Sequence, residues 1–270
     1  MANAFALSTL AAPEWPAEVV IERAAAFGYD ALEWRGGPDG HVPPSLSAAQ
    51  LAALARRQHA AGLTALAVTA YSSFVADDVN VRQANLDDLR RHCDTAAALG
   101  APFVRAYEEE LPPGVRPEAL YDRIAEGLAA AAEYAQRVGV AIALEPHADF
   151  ARSAVAAPIL ERVPHPALRV IWDVGNAYAT GEDPAETRGR LRARLAYVQV
   201  KDGTGHGDAW RLTDVGQGAV PLAWAIQSLV ADGYAGAFSV EWERAWHPEL
   251  APAEVALPAA LKVLKAWAGQ

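Results

Sequence analysis

Three carboxylates in this 270-residue chain stand at the ends of short, largely apolar runs: Glu145 after AIAL, Asp173 after ALRVIW and Glu241 after AFSV. A lead-in of that kind buries the carboxylate that closes it. Like charges brought within a few ångströms in low dielectric raise one another's pKa unless a cation sits among them. If the three runs end at one place, a divalent metal ion resolves the conflict. Ligation by oxygen alone, from Glu145, Asp173, Glu241 and the amide of Gln199, suits Mn²⁺ or Mg²⁺ better than Zn²⁺. Taken singly, each carboxylate has a plainer account, an ion pair with a nearby Arg or Lys. The metal reading draws its weight from all three together. Other runs also end in polar groups: Glu33 with Trp34 and Arg35, Arg105, His147 just past Glu145, Asn176 just past Asp173, Lys201 with Asp202, and Glu243.

Only a fold that gathers run ends at one face makes this a site, and the chain is organised to do so. β-type runs occur at Ala4–Ser8, Ala31–Trp34, Ala65–Thr69, Phe103–Tyr107, Ala141–Glu145, Leu168–Asp173, Tyr197–Lys201 and Ala237–Glu241. Between them lie segments with apolar residues at three-and-four spacing, such as LSAAQLAALARRQHAAG, NLDDLRRHCDTAAALG and PEALYDRIAEGLAAAAEYAQRVG, which predict helices. Ser47 and Asn80 or Asn85 are expected N-caps, and Gly62, Gly100 and Gly139 stand where a left-handed residue would end a helix. Run starts are about 25 to 40 residues apart, and eight strand–helix units fill the roughly 250 residues typical of a closed parallel barrel. The expectation is an α/β fold, a (β/α)₈ TIM barrel occupying residues 1–270 as one domain. A doubly wound open sheet uses the same alternation, but neither G-x-G-x-x-G after the first strand nor G-x-x-x-x-G-K-[ST] occurs. In a barrel of this kind the active site lies at the C-terminal ends of the strands.

Composition narrows the partners. The formal charge is −10, so the average surface repels nucleic acid. The lone cysteine, Cys93, rules out an internal disulfide and a thiolate zinc site, which suits a cytoplasmic enzyme. No basic residues precede the short apolar N-terminal run, and no stretch reaches the roughly 18 apolar residues of a membrane span.

Short motifs spread over most of the chain carry a resemblance. LEPH at 144–147, WDVGN at 172–176, VQVKD at 198–202, VGQGAVP at 215–221 and GAFSVEWE at 236–243 resemble, in order and spacing, the pattern of the xylose-isomerase-like barrels, which include sugar phosphate isomerases and epimerases. The resemblance implies a small-molecule sugar substrate. Glu145 and Glu241 would bind the metal and face the reacting carbon, one removing a proton and the other returning it. The ion would hold a carbonyl and a neighbouring hydroxyl, stabilising an enediolate. Glu33, Arg105, His147, Asn176 and Lys201 would orient the substrate, and His206 could reach the mouth from the glycine-bounded loop GTGHG. A homo-oligomer is left open. Two positions depart from the pattern: Gln199 and Asn176 stand where histidines are usual. A glutamine oxygen is a weaker, neutral ligand, so affinity or metal selectivity differs, or the chemistry has been abandoned.

The first functional reading is therefore a metal-dependent sugar or sugar phosphate isomerase or epimerase, with a keto-polyol dehydratase beside it because both begin by proton abstraction next to a carbonyl. An apurinic-site endonuclease-like barrel is disfavoured by charge and because a three-zinc cluster needs several strand-end histidines where only His147 is clear, and a non-catalytic sugar-binding barrel is suggested by Gln199 and Asn176. The absence of a convincing phosphate nest favours an unphosphorylated sugar. His41, His59, His92 and His165 are expected at the surface and Cys93 in the core. Trp34, Trp172, Trp242 and Trp246 cluster at run ends, where packing or an aromatic wall against a sugar would use them.

Overall fold

The computed structural model describes residues 3–108 and 110–270. Its strands are β1 Ala4–Ser8, β2 Ala31–Arg35, β3 Thr64–Thr69, β4 Phe103–Tyr107, β5 Ala141–Glu145, β6 Leu168–Asp173, β7 Leu195–Val200 and β8 Ala237–Val240. All neighbours pair in parallel and the sheet closes through β1 and β8. Lys201 and Glu241 thus lie one residue beyond their strands, which end slightly earlier than the apolar pattern suggests. The helices are α1 Ala17–Phe27, α2 Ala48–Ala60, α3 Val79–Leu99, α4 Tyr121–Val138, α5 Ser153–Arg162, α6 Val174–Ala179, α7 Pro184–Leu191, α8 Leu222–Ala231 and α9 Ala253–Ala268. Two helices, α6 and α7, fill the β6–β7 connection, and an antiparallel hairpin, Asp202–Thr204 with Arg211–Thr213, follows β7.

Period-two alternation sorts each strand. Phe5, Leu32, Trp34, Ile142, Leu144, Trp172 and Phe238 enter the large core shared with the helices, while a second core of Ala6, Ala31, Ala67, Ala143, Ile171, Ala196, Tyr197 and Ala237 fills the barrel interior. Each large outward side chain contributes roughly 1.5–3 kcal/mol by leaving water. Alanines dominate the interior, so one aromatic pair, Phe103 against Tyr197 at 5.8 Å, suffices to fill much of it. Above that layer the inward positions turn polar: Glu33, Arg105, Glu145, Asp173, Gln199 and Ser239 are all buried.

Local signals hold with one exception. Ser47 forms a full capping box with Gln50, and Gly62, Gly100 and Gly139 adopt φ of 77°, 74° and 82°. Helix α3, however, is capped by Asp78, whose Oδ1 accepts the Asn80 backbone N–H at 2.8 Å; Asn80 is already helical, and Asn85 instead donates to the Ser73 carbonyl. Cys93 is buried and burial pushes its thiol up to about 12. His59 is exposed and His41 and His165 are half-buried, but His92 is in the core. Its Nε2 accepts the Gly37 N–H at 3.2 Å while Nδ1 faces the Asp88 carbonyl at 2.9 Å. Room for that ring exists because Gly36 has no Cβ, which would lie 2.7 Å from it.

Candidate active site

The C-terminal mouth of the barrel holds a cavity of about 300 Å³ lined by Glu145, His147, Arg105, Tyr107, Tyr71, Glu241, Glu243 and Trp246, among others. Oxygens of Glu145, Asp173 and Glu241 all come within 4.8 Å of one another, and all three side chains are buried. Asp173 is level with Gln199 in the strand register, and Gln199 is level with Ser239.

Each carboxylate is held from two sides. Glu145 accepts Nε–H of Arg105 on one oxygen and the Asn176 amide at 3.0 Å on the other. Asp173 ends β6 and caps α6, its Oδ1 accepting the Asn176 N–H at 2.8 Å, while Oδ2 lies 3.0 Å from Lys201 Nζ. Lys201 also donates to Glu241 Oε2 at 2.8 Å and to Glu243. Gly175 makes this crossing compact: a Cβ there would sit 2.8 Å from the Lys201 carbonyl oxygen.

Burial drives the Asp173 carboxyl well above its ordinary range, against the pull of Lys201, and burial likewise raises Glu145. For Glu241 burial acts upward too, but Lys201 and Arg105 outweigh it and hold the carboxyl at about 2. Burial and the nearby charge of Glu241 push Glu33 up to about 7. His147 is lowered to about 4 by burial and then by Arg105 and Lys201.

The donor set fits a divalent cation. Four buried carboxylates, Glu33, Glu145, Asp173 and Glu241, face Arg105 and Lys201, which leaves two negative charges uncompensated when all are ionised. Further out, Arg35 and Glu243 balance. Gln199 adds a buried Oε1 that accepts no hydrogen bond from the described residues. Carboxylate and amide oxygens are the ligands hard ions take. The triad could hold a metal ion.

The expected residues divide by depth. Glu145, Glu241, Arg105 and His147 line the cavity; Asp173, Lys201 and Asn176 form the shell that holds the carboxylates. Glu33 is not among the lining residues. It lies in the barrel interior, accepting from Tyr197 Oη at 2.8 Å, Gln199 Nε2 at 3.0 Å and Ser239 Oγ at 2.6 Å. His206 is exposed on its loop, its ring tilted against Tyr178 with centroids 4.7 Å apart, and is not among the lining residues either.

Two features escaped the motif reading. One is the tyrosine part of an aromatic and cationic wall, whose Trp246, Arg105 and Arg35 the sequence already placed at run ends: Tyr71 meets Tyr107 and Trp246 edge-on at 6.0 and 6.3 Å, Arg105 lies over Tyr107 at 4.8 Å and Arg35 over Trp246 at 4.9 Å. Tyr107 was accessible to reasoning, since it sits two residues beyond Arg105 on the same inward face. The other is Asp202, whose carboxylate accepts the N–H groups of Gly203, Gly216, Gly218 and Val220 and so ties down the loop carrying VGQGAVP.

Comparison with known proteins adds family context. A family model described as xylose isomerase-like TIM barrel matches residues 21–267. Fructoselysine 3-epimerase from Escherichia coli O157:H7 is 26% identical over 239 residues, which cover 84% of this chain and 85% of that protein. The structure of D-psicose 3-epimerase with D-tagatose from Clostridium cellulolyticum H10 superposes with a TM-score of 0.82 at 15% identity, over 98% of this chain and 99% of the other. IolI protein with a bound zinc atom superposes with a TM-score of 0.81 at 20% identity, over 98% of each chain.

Proposed function

This chain belongs to the xylose isomerase-like TIM barrel family, and from that premise we propose that it is a divalent-metal-dependent isomerase or epimerase of unphosphorylated keto-sugars, with Glu145 and Glu241 as the proton-transferring groups. The observation that carries the reading is the buried triad of Glu145, Asp173 and Glu241 at the base of a cavity walled by Tyr71, Tyr107 and Trp246. Names of relatives lend support, since two of the three compared proteins are 3-epimerases of keto-sugars or a keto-sugar conjugate.

Glu145, Asp173, Glu241 and Gln199 Oε1 would hold the ion, and Mn²⁺ or Mg²⁺ matches the all-oxygen set, although the zinc of the IolI structure makes Zn²⁺ the natural control. When bound, the cation supplies electrostatic stabilisation of negative charge developing on the sugar's oxygens. The protein's own groups do the rest. Glu145 and Glu241 come from β5 and from just past β8, so they approach a sugar in the cavity from different sides. One carboxylate takes the proton from the carbon beside the carbonyl, leaving its electron pair in an enediolate, and the other returns a proton. Taken from C3 of a ketose and returned to the opposite face of C3, the proton gives the 3-epimer; taken from C1 and returned to C2, with a hydroxyl proton passing from O1 to O2 as the carbonyl moves to C1, it gives an aldose. Lys201 and Arg105 hold the two carboxylates in place and pull each toward its charged form, against the burial that raises Glu145, while the aromatic wall excludes water and packs against the sugar's C–H surface.

An unphosphorylated substrate is supported by Asp202. Its carboxylate already takes the amide N–H groups of Gly216, Gly218 and Val220, so these donors of the glycine loop are committed and do not form an anion nest. The test is a panel of ketoses, inososes and their phosphates in D₂O, followed by NMR with Mn²⁺- or Mg²⁺-treated protein. Deuterium entering beside the carbonyl of a free ketose, and not of its phosphate, is the expected result. Exchange absent across the panel would defeat the enzymatic reading and leave a non-catalytic sugar-binding barrel.

A further inference from the structure

We propose that Glu33 is a positioning residue that sets which end of the Gln199 amide is left to bind the metal ion. This rests on the reading of the mouth as a metal site. The two ends of a glutamine amide have nearly the same shape, so packing alone does not orient it; hydrogen-bond partners do. Here both partners of Nε2 are carboxylate oxygens, Glu33 Oε1 at 3.0 Å and Glu241 Oε1 at 3.1 Å. Turned over, the amide would set its carbonyl oxygen against two acceptors. The observed orientation leaves Oε1, on a fully buried side chain, with no hydrogen donor among the described residues, a costly state in a protein interior and one that a cation relieves.

Glu33 is itself locked across the barrel. It comes from β2, whereas its partners Tyr197 and Gln199 lie on β7 and Ser239 on β8, in register with Gln199. In its ionised form it takes three donors on two oxygens, which an acceptor-only carboxylate does and a glutamine in its place does not, because one end of that glutamine would itself donate. A Gln at position 33 could then present N–H to Gln199 and let the amide turn, placing N–H groups where the ligand oxygen should be.

The test is Mn²⁺ binding by isothermal titration to chelator-treated full-length protein, a readout independent of turnover. Glu33→Gln should weaken Mn²⁺ by about 10–100-fold, the range for groups that orient metal ligands. Gln199→Leu should weaken it comparably, and adding Glu33→Gln to Gln199→Leu should cost no more. An equal further loss in that background would mean that Glu33 merely supports the fold and would overturn the proposal. Glu33→Gln binding Mn²⁺ as the parent does would overturn it while leaving the metal site standing. A parent protein that binds no Mn²⁺ would overturn both readings. If Glu33→Gln does not fold, the parent protein labelled with ¹³C and ¹⁵N glutamine decides: adding Mg²⁺ should shift the Gln199 carbonyl carbon while both side-chain amide protons stay protected from solvent. An unmoved carbonyl or rapidly exchanging amide protons would contradict the assigned orientation.

Discussion

Lys201 Nζ lies 2.8 Å from Glu241 Oε2, and both groups are buried. The same ammonium reaches Asp173 at 3.0 Å, so one cation ties together two of the three carboxylates proposed to hold the metal. Lys201→Met keeps much of the side-chain volume but leaves those carboxylates without their counter-charge. Removing one partner of a buried pair costs about 3–5 kcal/mol. Denaturant titration in the presence of chelator should show a loss of that size, and Mn²⁺ should restore part of it. A loss below about 1 kcal/mol would mean that Asp173 and Glu241 do not depend on this ammonium.

Metal linkage gives a second expectation. A ligand that binds only the folded state stabilises it by about 2.7 kcal/mol when present at a hundred times its Kd. Mn²⁺ or Mg²⁺ should therefore raise the Tm of the parent protein measurably, and Asp173→Asn should abolish most of the rise. An Asp173→Asn variant that responds to Mn²⁺ as fully as the parent would place the ion elsewhere.

The loop at 215–221 depends on Asp202. Its four backbone hydrogen bonds are charge-assisted, and a Cβ on Gly218 would lie 2.1 Å from Asp202 Oδ1. Asp202→Asn should cost about 1.5–3 kcal/mol, the range for hydrogen bonds to charged groups. Gly218→Ala should destabilise in the same direction by displacing the loop. Both are read from unfolding curves, and an unchanged midpoint in Asp202→Asn would refute the assigned role.

Much of this arrangement is legible in the sequence, and the physical reason is periodicity. Strand alternation and apolar lead-ins place Glu145, Asp173 and Glu241 at run ends, and the barrel carries run ends to one mouth. Depth and cross-barrel partners are a different matter. Glu33 closes an apolar pair as Glu145 closes its run, yet it lies in the interior with Tyr197 and Ser239, because closure of the sheet brings β2 within side-chain reach of β7 and β8 and no local pattern encodes which strands meet. His92 looks like a polar residue on a helix. Only the approach of Gly36 and Gly37, more than fifty positions away, makes its site a core position.

Acid stability offers a test away from the mouth. The His92 side chain, with Ser72 and Arg91, holds the Asp88 carboxyl at about 2, below its ordinary 3.8. A depressed native pKa contributes stability that is present above the unfolded value and is lost as pH falls through the folded one. Asp88→Asn should thus be less stable than the parent at about pH 6, with the gap closing between about pH 5 and pH 2. A gap that is constant over that window would show that ionisation of Asp88 does not contribute.

The central claim is that Glu145 and Glu241 move the proton, and solvent exchange measures it most directly. With a ketose that the parent protein labels in D₂O, Glu145→Gln and Glu241→Gln should each slow deuterium incorporation by at least the roughly 10² to 10⁴ that general acid–base catalysis contributes. Mn²⁺ is held at saturation for each variant, so that weakened metal binding is not read as a lost base. Labelling that continues undiminished in both variants under those conditions would contradict the account.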